Sequence, residues 1–214
     1  MASKKLVSKT FGTVSEPLSN ASPSRPACAE CALHESCGSP FIKPYIPAEW
    51  SGRFLFVVET SKAGEDAYQR SGIPVSDRER KVLKEILTRI GIPLSDCAVA
   101  PILRCRPNLT GSKRPKMHDL RACRPFILRV IDQLKPKLIV AFGDAAVKGL
   151  MNTGAPGPMT LLRGRELKMV ASEEHEIHST SKLSSLLVDV NAQERVYEDL
   201  RRVTLPLTPH PEKG

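Results

Sequence analysis

An α/β fold is predicted because short apolar runs alternate along the chain with amphipathic stretches of helical length. The segments at 53–59, 97–103 and 137–142 each contain an unbroken apolar run, as in parallel strands buried on both faces. Between them, 77–90 and 119–134 repeat apolar residues at helical spacing. This alternation predicts a parallel sheet with helices on both of its faces.

The ends of the elements carry their own signals. Asp77 is the expected N-cap of the first helix, and Gly91 is its expected stop. Pro136 ends the second helix, and Gly143 opens a third. The predicted helices lie at 77–90, 119–134, 144–150 and 193–203, and a fourth strand region with a hairpin is expected at 167–171 with 176–179.

The chain has 214 residues, enough for one sizeable core. Residues 1–26 are rich in Ser, Pro and Lys and predict a disordered arm, 27–203 form the domain, and 204–214 predict a disordered tail. No apolar run reaches the roughly 18 residues of a membrane span, and no secretory signal is recognisable. We therefore expect a soluble, cytoplasmic monomer.

The formal net charge of +9 favours a polyanionic partner. Lysines and arginines that face phosphates gain from the release of condensed counterions, so DNA is the expected partner. A basic surface that serves only solubility would carry the same charge.

Two cysteine pairs are the most specific motif. Cys28 and Cys31 form a Cys-x-x-Cys, and Cys105 and Cys123 bracket a basic loop. In a reducing compartment cysteines serve as ligands or buried thiols more often than as disulfides. Four thiolates in two close pairs suit one soft metal centre, either an iron–sulfur cluster or zinc. The two remaining cysteines, Cys37 and Cys97, are expected to be spare thiols.

Several segments, in order, resemble the iron–sulfur branch of the uracil-DNA glycosylase superfamily, known as family four. The resemblance covers about residues 28–203. The matching residues are Cys28-x-x-Cys31, Glu59 followed by Glu65-Asp66, Gly72-x-Pro74, Cys105-Arg106-Pro107, Cys123-Arg124-Pro125, the run from Pro136 to Gly143, and Arg163-Gly164.

This resemblance implies a single three-layer α/β/α domain around four parallel strands. It also implies a structural 4Fe-4S cluster on the four cysteines, which are Cys28, Cys31, Cys105 and Cys123. The cluster would hold a DNA-contacting loop about two residues longer than the usual pattern. The implied DNA-binding residues are Arg106, Lys113, Arg114 and Lys116, with Arg163 and Arg165 as candidates that equally fit a solvated surface.

The departures from the family pattern fall around the base pocket. The first motif reads Val58-Glu59-Thr60-Ser61-Lys62 instead of Gly-Glu-x-Pro-Gly. Val75 stands where the family stacks a phenylalanine on uracil, and Pro101 stands where an asparagine reads the uracil edge. A proline offers no side-chain amide and no backbone donor. The His-Pro-Ser motif appears only as His178-Ser179-Thr180.

Glu59 and His178 are therefore the expected catalytic residues, although Glu59 would also suit a loop cap and His175 lies near His178. The expected base pocket comprises Val75, Pro101, Thr60 and Ser61. Retained catalytic groups beside a changed pocket predict a DNA glycosylase for a bulky modified base, such as a hydroxymethylated or glucosylated phage pyrimidine. Anti-phage defence would be its setting by analogy.

Three alternatives remain open at this point. The first is conventional uracil excision in DNA repair with rebuilt recognition. The second is a non-catalytic DNA-binding iron–sulfur module, because decay of the enzyme would remove the same motifs. The third is an enzyme of DNA hypermodification that uses the same base pocket.

Overall fold

The computed structural model of the chain describes residues 31, 33, 37–40, 42–59, 72–107, 114–152, 166–170 and 174–204. The strands are β1 (Cys37–Pro40), β2 (Phe54–Val58), β3 (Cys97–Pro101), β4 (Cys105–Pro107), β5 (Leu138–Phe142), β6 (Glu166–Val170) and β7 (Glu174–Thr180). The helices are α1 (Asp77–Ile90), α2 (Met117–Leu134), α3 (Asp144–Met151) and α4 (Val190–Thr204), with short 3-10 helices at Leu94–Asp96 and Leu183–Leu187.

The main sheet has the strand order β3-β2-β5-β7-β6. The first four strands run parallel, and β6 pairs antiparallel with β7 at the edge. The predicted parallel sheet and its hairpin are therefore confirmed. The last residues of the parallel strands are in register, so their carboxyl ends meet at one edge, where ligands bind in such sheets. These residues are Pro101, Val58, Phe142 and Thr180.

Each face of the sheet is covered by two helices. Leu55, Ile139 and Ile177 alternate onto the face that packs against α2 and α3. Phe54, Phe56 and Val140 point to the opposite face, which packs against α1 and α4. All five residues of β2, β3 and β5 are buried, as expected for strands covered on both sides. The result is the predicted three-layer α/β/α arrangement.

Helix α1 has the predicted bounds but a different N-cap. Ser76, not Asp77, caps it, because its hydroxyl accepts a hydrogen bond from the Glu79 backbone N–H at 3.2 Å. The Glu79 carboxylate in turn accepts a hydrogen bond from the Ser76 N–H at 2.9 Å, which completes a capping box. Gly91 ends the helix as predicted, with a φ of 84°.

A small second sheet was not predicted. Strands β1 and β4 pair antiparallel, with Pro40 opposite Cys105. These strands have no alternating apolar pattern, so hydrophobic periodicity does not reveal them. Their pairing places the segment that follows Cys31 beside the segment that contains Cys105.

The predicted arm at 1–26 and the tail after Thr204 lie outside the described residues. No helix in the described part of the chain combines the length and the apolar character that crossing a membrane requires.

Candidate functional site

Glu59 follows β2 directly and lies at the carboxyl edge of the sheet. The Ala145 backbone N–H donates a hydrogen bond to its Oε1 at 3.1 Å. Ala145 is in the first turn of α3, so the carboxylate satisfies a helix N–H and lies at the positive end of the helix dipole. Glu59 is thus a helix cap supplied by a neighbouring strand, and this contact fixes one of its oxygens at the sheet edge.

Gly143, between β5 and α3, makes this arrangement possible. Its φ is 94°, and its N–H donates to the Thr180 carbonyl at 3.0 Å. A Cβ atom at this position would lie 3.0 Å from Glu59 Oε1 and 2.8 Å from Lys182 Cβ. Glycine is required here by both the backbone conformation and the space. Three segments of the chain therefore converge on one point at the edge.

The structure describes two of the predicted base-pocket residues, Pro101 and Val75, and places Pro101 at this edge. Pro101 is the last residue of β3 and pairs in register with Val58, the residue before Glu59. Val75 is buried just ahead of α1, in the same apolar cluster as Val58. The other predicted pocket residues, Thr60 and Ser61, lie outside the described part of the chain.

His178 occupies a different place from Glu59. It lies inside β7, in register with Val140 of β5 and Glu166 of β6, two residues short of the strand end. Two residues of strand correspond to about 7 Å. Val140 points to the face covered by α1 and α4, whereas Glu59 binds α3 on the other face. The structure does not bring these two side chains together, and the role of His178 stays a prediction.

Three of the four predicted metal ligands are in the described part of the chain. Cys31, Cys105 and Cys123 are all buried, with at most 7% of each residue exposed. The Cys31 thiol donates a hydrogen bond to Asp119 Oδ1 at 3.2 Å. Burial, opposed by a backbone hydrogen bond from Leu33 and reinforced by Asp119 and Cys123, raises the pKa of the Cys31 thiol to about 11. Cys31 and Cys123 therefore lie close enough for their charges to interact.

These thiols have the soft donor chemistry that an iron–sulfur cluster or zinc prefers. The fourth predicted ligand, Cys28, lies outside the described residues. Among the described residues, no three His, Cys, Asp or Glu side chains are grouped closely enough to hold a metal ion. The donor set fits the predicted metal in type and burial, and three of its members are placed.

Asp119 is a polar residue of this region that the sequence reasoning missed. It is buried, and its Oδ2 accepts the Lys116 backbone N–H at 2.8 Å at the start of α2. His118 Nε2 lies 2.9 Å from its Oδ1, the oxygen that also accepts the Cys31 thiol. An acid at the third position of a helix is a capping signal, and that signal alone would have identified it.

The structure describes some of the predicted DNA-binding residues that precede α2. Arg114 and Lys116 are exposed, as a DNA-contacting surface requires, and Arg106 lies in β4. The Arg104 guanidinium stacks over the Phe126 ring at 4.7 Å, which fixes a further cation beside the cysteines. The remaining predicted DNA-binding residues and one ligand lie outside the described part: Lys113, Arg163, Arg165 and Cys28.

Comparison with known proteins agrees with this geometry. A family model described as the uracil DNA glycosylase superfamily matches residues 55–203, more than half of the chain. The chain belongs to the uracil DNA glycosylase superfamily. The matched segment covers the main sheet and the four helices except for Phe54 and Thr204, so membership of the superfamily accounts for the three-layer fold.

Several curated relatives carry the name Type-4 uracil-DNA glycosylase. The protein from Pyrobaculum aerophilum is 29% identical over 126 residues, which is 58% of this chain and 59% of the relative. The Archaeoglobus fulgidus protein is 26% identical over 128 residues, 59% of each chain. The Sulfurisphaera tokodaii protein is 24% identical over 190 residues, 86% of this chain and 82% of the relative. The chain thus spans less than two thirds of the first two relatives.

Two further residues at the sheet edge were missed as site residues. Gly143 was identified only as a helix opener, although a glycine between a buried strand and a helix is a known signal for close backbone approach. Lys182 carries no motif in the sequence. Only the placement of β7 beside β5 brings it to Glu59, and that placement is a long-range property of the sheet.

Proposed function

We propose that this superfamily member is a DNA glycosylase that hydrolyses the N-glycosidic bond of a modified base and leaves an abasic site. The observation that supports it best is the position of Glu59. Its carboxylate is held at the carboxyl edge of a parallel sheet by the Ala145 N–H, beside the glycine turn at Gly143. The names of the relatives support base excision as the reaction class.

In this reaction the bond between C1′ of the sugar and the base nitrogen breaks, and the bonding electrons leave with the base. A water oxygen then bonds to C1′ and loses a proton. The sugar is cationic at the transition state, so a fixed carboxylate stabilises it and positions the water. One oxygen of Glu59 is held by the helix, and this anchoring orients the carboxylate before substrate binds.

The pocket residues support a base other than uracil. Pro101 pairs in register with Val58, the residue before Glu59. Its side chain has no group that can form a hydrogen bond with the edge of a base. Val75 has less volume than a stacking ring. Both changes favour a larger base, such as a hydroxymethylated or glucosylated pyrimidine of phage DNA. Anti-phage defence would then be the biological setting.

A second candidate is uracil excision in base-excision repair. The specific observation in its favour is that the relatives are named uracil-DNA glycosylases. Val75 and Pro101 weigh against it, because neither supplies the stacking ring or the amide that uracil recognition uses in the family pattern.

A metal would act here as a structural staple. Cys31, Cys105 and Cys123, together with Cys28, would hold a 4Fe-4S cluster, with zinc as the alternative. Bound to these thiols, the metal would stabilise the segment that carries Arg114 and Lys116 and present it to DNA. The cytoplasmic location and the monomeric state stay predictions.

The proposed activity is tested by incubating the purified protein with four DNAs: unmodified, uracil-containing, hydroxymethylated and glucosylated. Hot alkali then cuts the strand wherever a base has been removed. We expect breaks in the modified DNA and none in the unmodified DNA. Breaks confined to uracil DNA would establish the repair candidate instead, and no breaks in any lane would overturn base excision.

Glu59→Gln is the informative variant. Its amide oxygen still accepts the Ala145 N–H, so the helix cap is kept and only the charge is lost. We expect base release to slow by about 100-fold or more. Glu85→Gln removes the same charge from an exposed position on α1 and is the matched control. Equal rates for the two variants would assign Glu59 to capping alone.

A further inference from the structure

Lys182 has a fixed backbone and an exposed side chain. Its carbonyl accepts hydrogen bonds from the Ser185 N–H at 3.1 Å and the Ser185 hydroxyl at 2.6 Å. These bonds start the short helix Leu183–Leu187, whose Leu183 and Leu186 are buried in the core. The chain around Lys182 is therefore held firmly two residues beyond the end of β7.

Lys182 and Glu59 approach the same point. A Cβ atom on Gly143 would lie 2.8 Å from Lys182 Cβ and 3.0 Å from Glu59 Oε1, so these two atoms are at most about 6 Å apart. The flexible four-carbon stem of lysine lets its ammonium group move over the space in front of the carboxylate.

Two other carboxylates among the described residues near this edge have partners of their own. Asp144, the first residue of α3, pairs with Lys148 at 2.7 Å. Asp199 of α4 accepts the buried Thr180 hydroxyl at 2.8 Å and lies 3.5 Å from Arg202. Neither arrangement uses Lys182. The Lys182 stem therefore starts within about 6 Å of Glu59 Oε1, which puts its ammonium group within reach of the strand ends beside the carboxylate.

Breaking an N-glycosidic bond creates a matching pair of charges. The sugar becomes cationic and the departing nucleobase becomes anionic. A carboxylate and an ammonium group close to each other therefore complement the charges of the transition state. An exposed lysine is positively charged at neutral pH. His178 lies about two residues back in the strand on the opposite face, and it does not offer a charge at this point.

We propose that Lys182, rather than His178, supplies the positive charge that stabilises the departing base. The inference rests on the proposed base excision and adds a second catalytic residue to it. Glu59 then acts on the sugar and the water, and Lys182 acts on the base. Because the ammonium offsets charge only as the bond breaks, it contributes to the chemical step more than to DNA affinity.

The test compares three variants with the wild type on the DNA that the wild type cuts. Lys182→Met keeps the stem and removes the charge, Lys182→Arg keeps the charge, and His178→Gln removes the imidazole. For each protein we would measure the single-turnover rate of base release at saturating enzyme and, separately, the Kd for DNA. Circular dichroism and thermal melting report whether each variant is folded.

We expect Lys182→Met to slow the saturated rate by about 100-fold, with a Kd within about threefold of the wild type. Lys182→Arg should retain at least a tenth of the rate, and His178→Gln should change it little. A weaker Kd with an unchanged saturated rate would make Lys182 a phosphate contact and overturn the proposal. A large loss in His178→Gln alone would also overturn it.

The two proposals fail in different ways. If the wild type releases a base and Lys182→Met is equally fast, base excision stands and the role of Lys182 is wrong. If the wild type releases no base from any of the four DNAs, base excision itself is wrong and the role of Lys182 falls with it.

Discussion

The sheet edge and the cysteine region are built by different forces. At the edge, Glu59 and Gly143 follow strands β2 and β5, in which every residue is buried. The cysteine region instead joins a two-stranded ladder of β1 and β4 to the first turns of α2. An isolated pair of short strands is marginally stable in water. The edge is held by strands buried along their whole length, whereas the cysteine region combines the core contacts of Cys123 with a short ladder, with polar contacts such as that of Cys31 to Asp119, and with whatever its thiols bind.

This difference separates two kinds of sensitivity. Perturbing the edge strains a rigid frame, so the damage should be steric and local. Perturbing the cysteine region should depend on the state of the metal, because a metal's binding free energy becomes folding free energy.

Removing a cysteine ligand should have the largest effect. We expect Cys123→Ala to abolish iron binding, to remove absorbance near 400 nm, and to lower the free energy of unfolding by more than about 3 kcal/mol. Cys97→Ala is the matched control, because Cys97 is also buried but lies in β3. Its loss should cost about 1 kcal/mol through the small cavity it leaves.

Iron content, zinc content and urea unfolding would be measured for both variants. Equal metal content in Cys123→Ala and the wild type would exclude Cys123 as a ligand. If the wild type contains zinc instead of iron, the four cysteines form a zinc site rather than a cluster. The expected loss of stability in Cys123→Ala is then the same.

The contrast also explains which features the sequence predicted. Helix α1 matches its predicted bounds because its apolar residues recur at helical spacing and Gly91 ends it in a left-handed conformation. Strands β2, β3 and β5 were predicted because strands buried on both faces are continuously apolar, whereas the largely polar β7 was predicted only as part of a strand region with a hairpin. The apolar pattern of the sequence therefore predicts the core, and the buried strands of that core determine where Glu59 lies along the sheet.

Contacts between polar residues that are far apart in the chain are not marked by any such pattern in the sequence. The Cys31 thiol and Asp119 are 88 positions apart in the chain. Lys182 comes close to Glu59 only because β7 pairs with β5, whereas the sequence motif pointed to His178 as the catalytic residue. Both contacts depend on how the sheet is assembled, which local sequence does not specify.

At the sheet edge, Gly143→Ala should have the next largest effect. The substitution combines a φ of 94° with close contacts to Lys182 Cβ and Glu59 Oε1. We expect it to lower the free energy of unfolding by about 2–4 kcal/mol and to slow base release, because both charged residues must move.

Gly91→Ala isolates the contribution of the backbone. Its φ of 84° is similar, but a Cβ atom there would have nothing within 4 Å. It should cost about 1 kcal/mol and leave base release unchanged. Urea unfolding and single-turnover assays would compare the two variants. Equal losses of stability would mean that the edge relaxes freely around Gly143, contrary to a rigid frame.

Asp119→Asn should have the smallest effect, and its size should depend on the metal. In the metal-free protein Asp119 accepts hydrogen bonds from the Cys31 thiol and the Lys116 N–H, and the exposed His118 lies 2.9 Å from the oxygen that accepts the thiol. An asparagine has a single acceptor oxygen, so one of the two buried donors loses its partner at a cost of about 1–2 kcal/mol, whereas His118 can bind water instead. Asp77→Asn, at an exposed first-turn position of α1, is the control and should cost less than about 0.5 kcal/mol.

When a metal is bound, the Cys31 sulfur has lost its proton and accepts a hydrogen bond instead of donating one. The amide of the Asp119→Asn variant can then donate to that sulfur while its oxygen still accepts the Lys116 N–H. The loss of stability should therefore shrink below about 1 kcal/mol in the metal-loaded protein, as urea unfolding with and without a chelator would measure. An equal loss in both states would mean that Cys31 keeps its proton, and it would remove Cys31 from the ligand set.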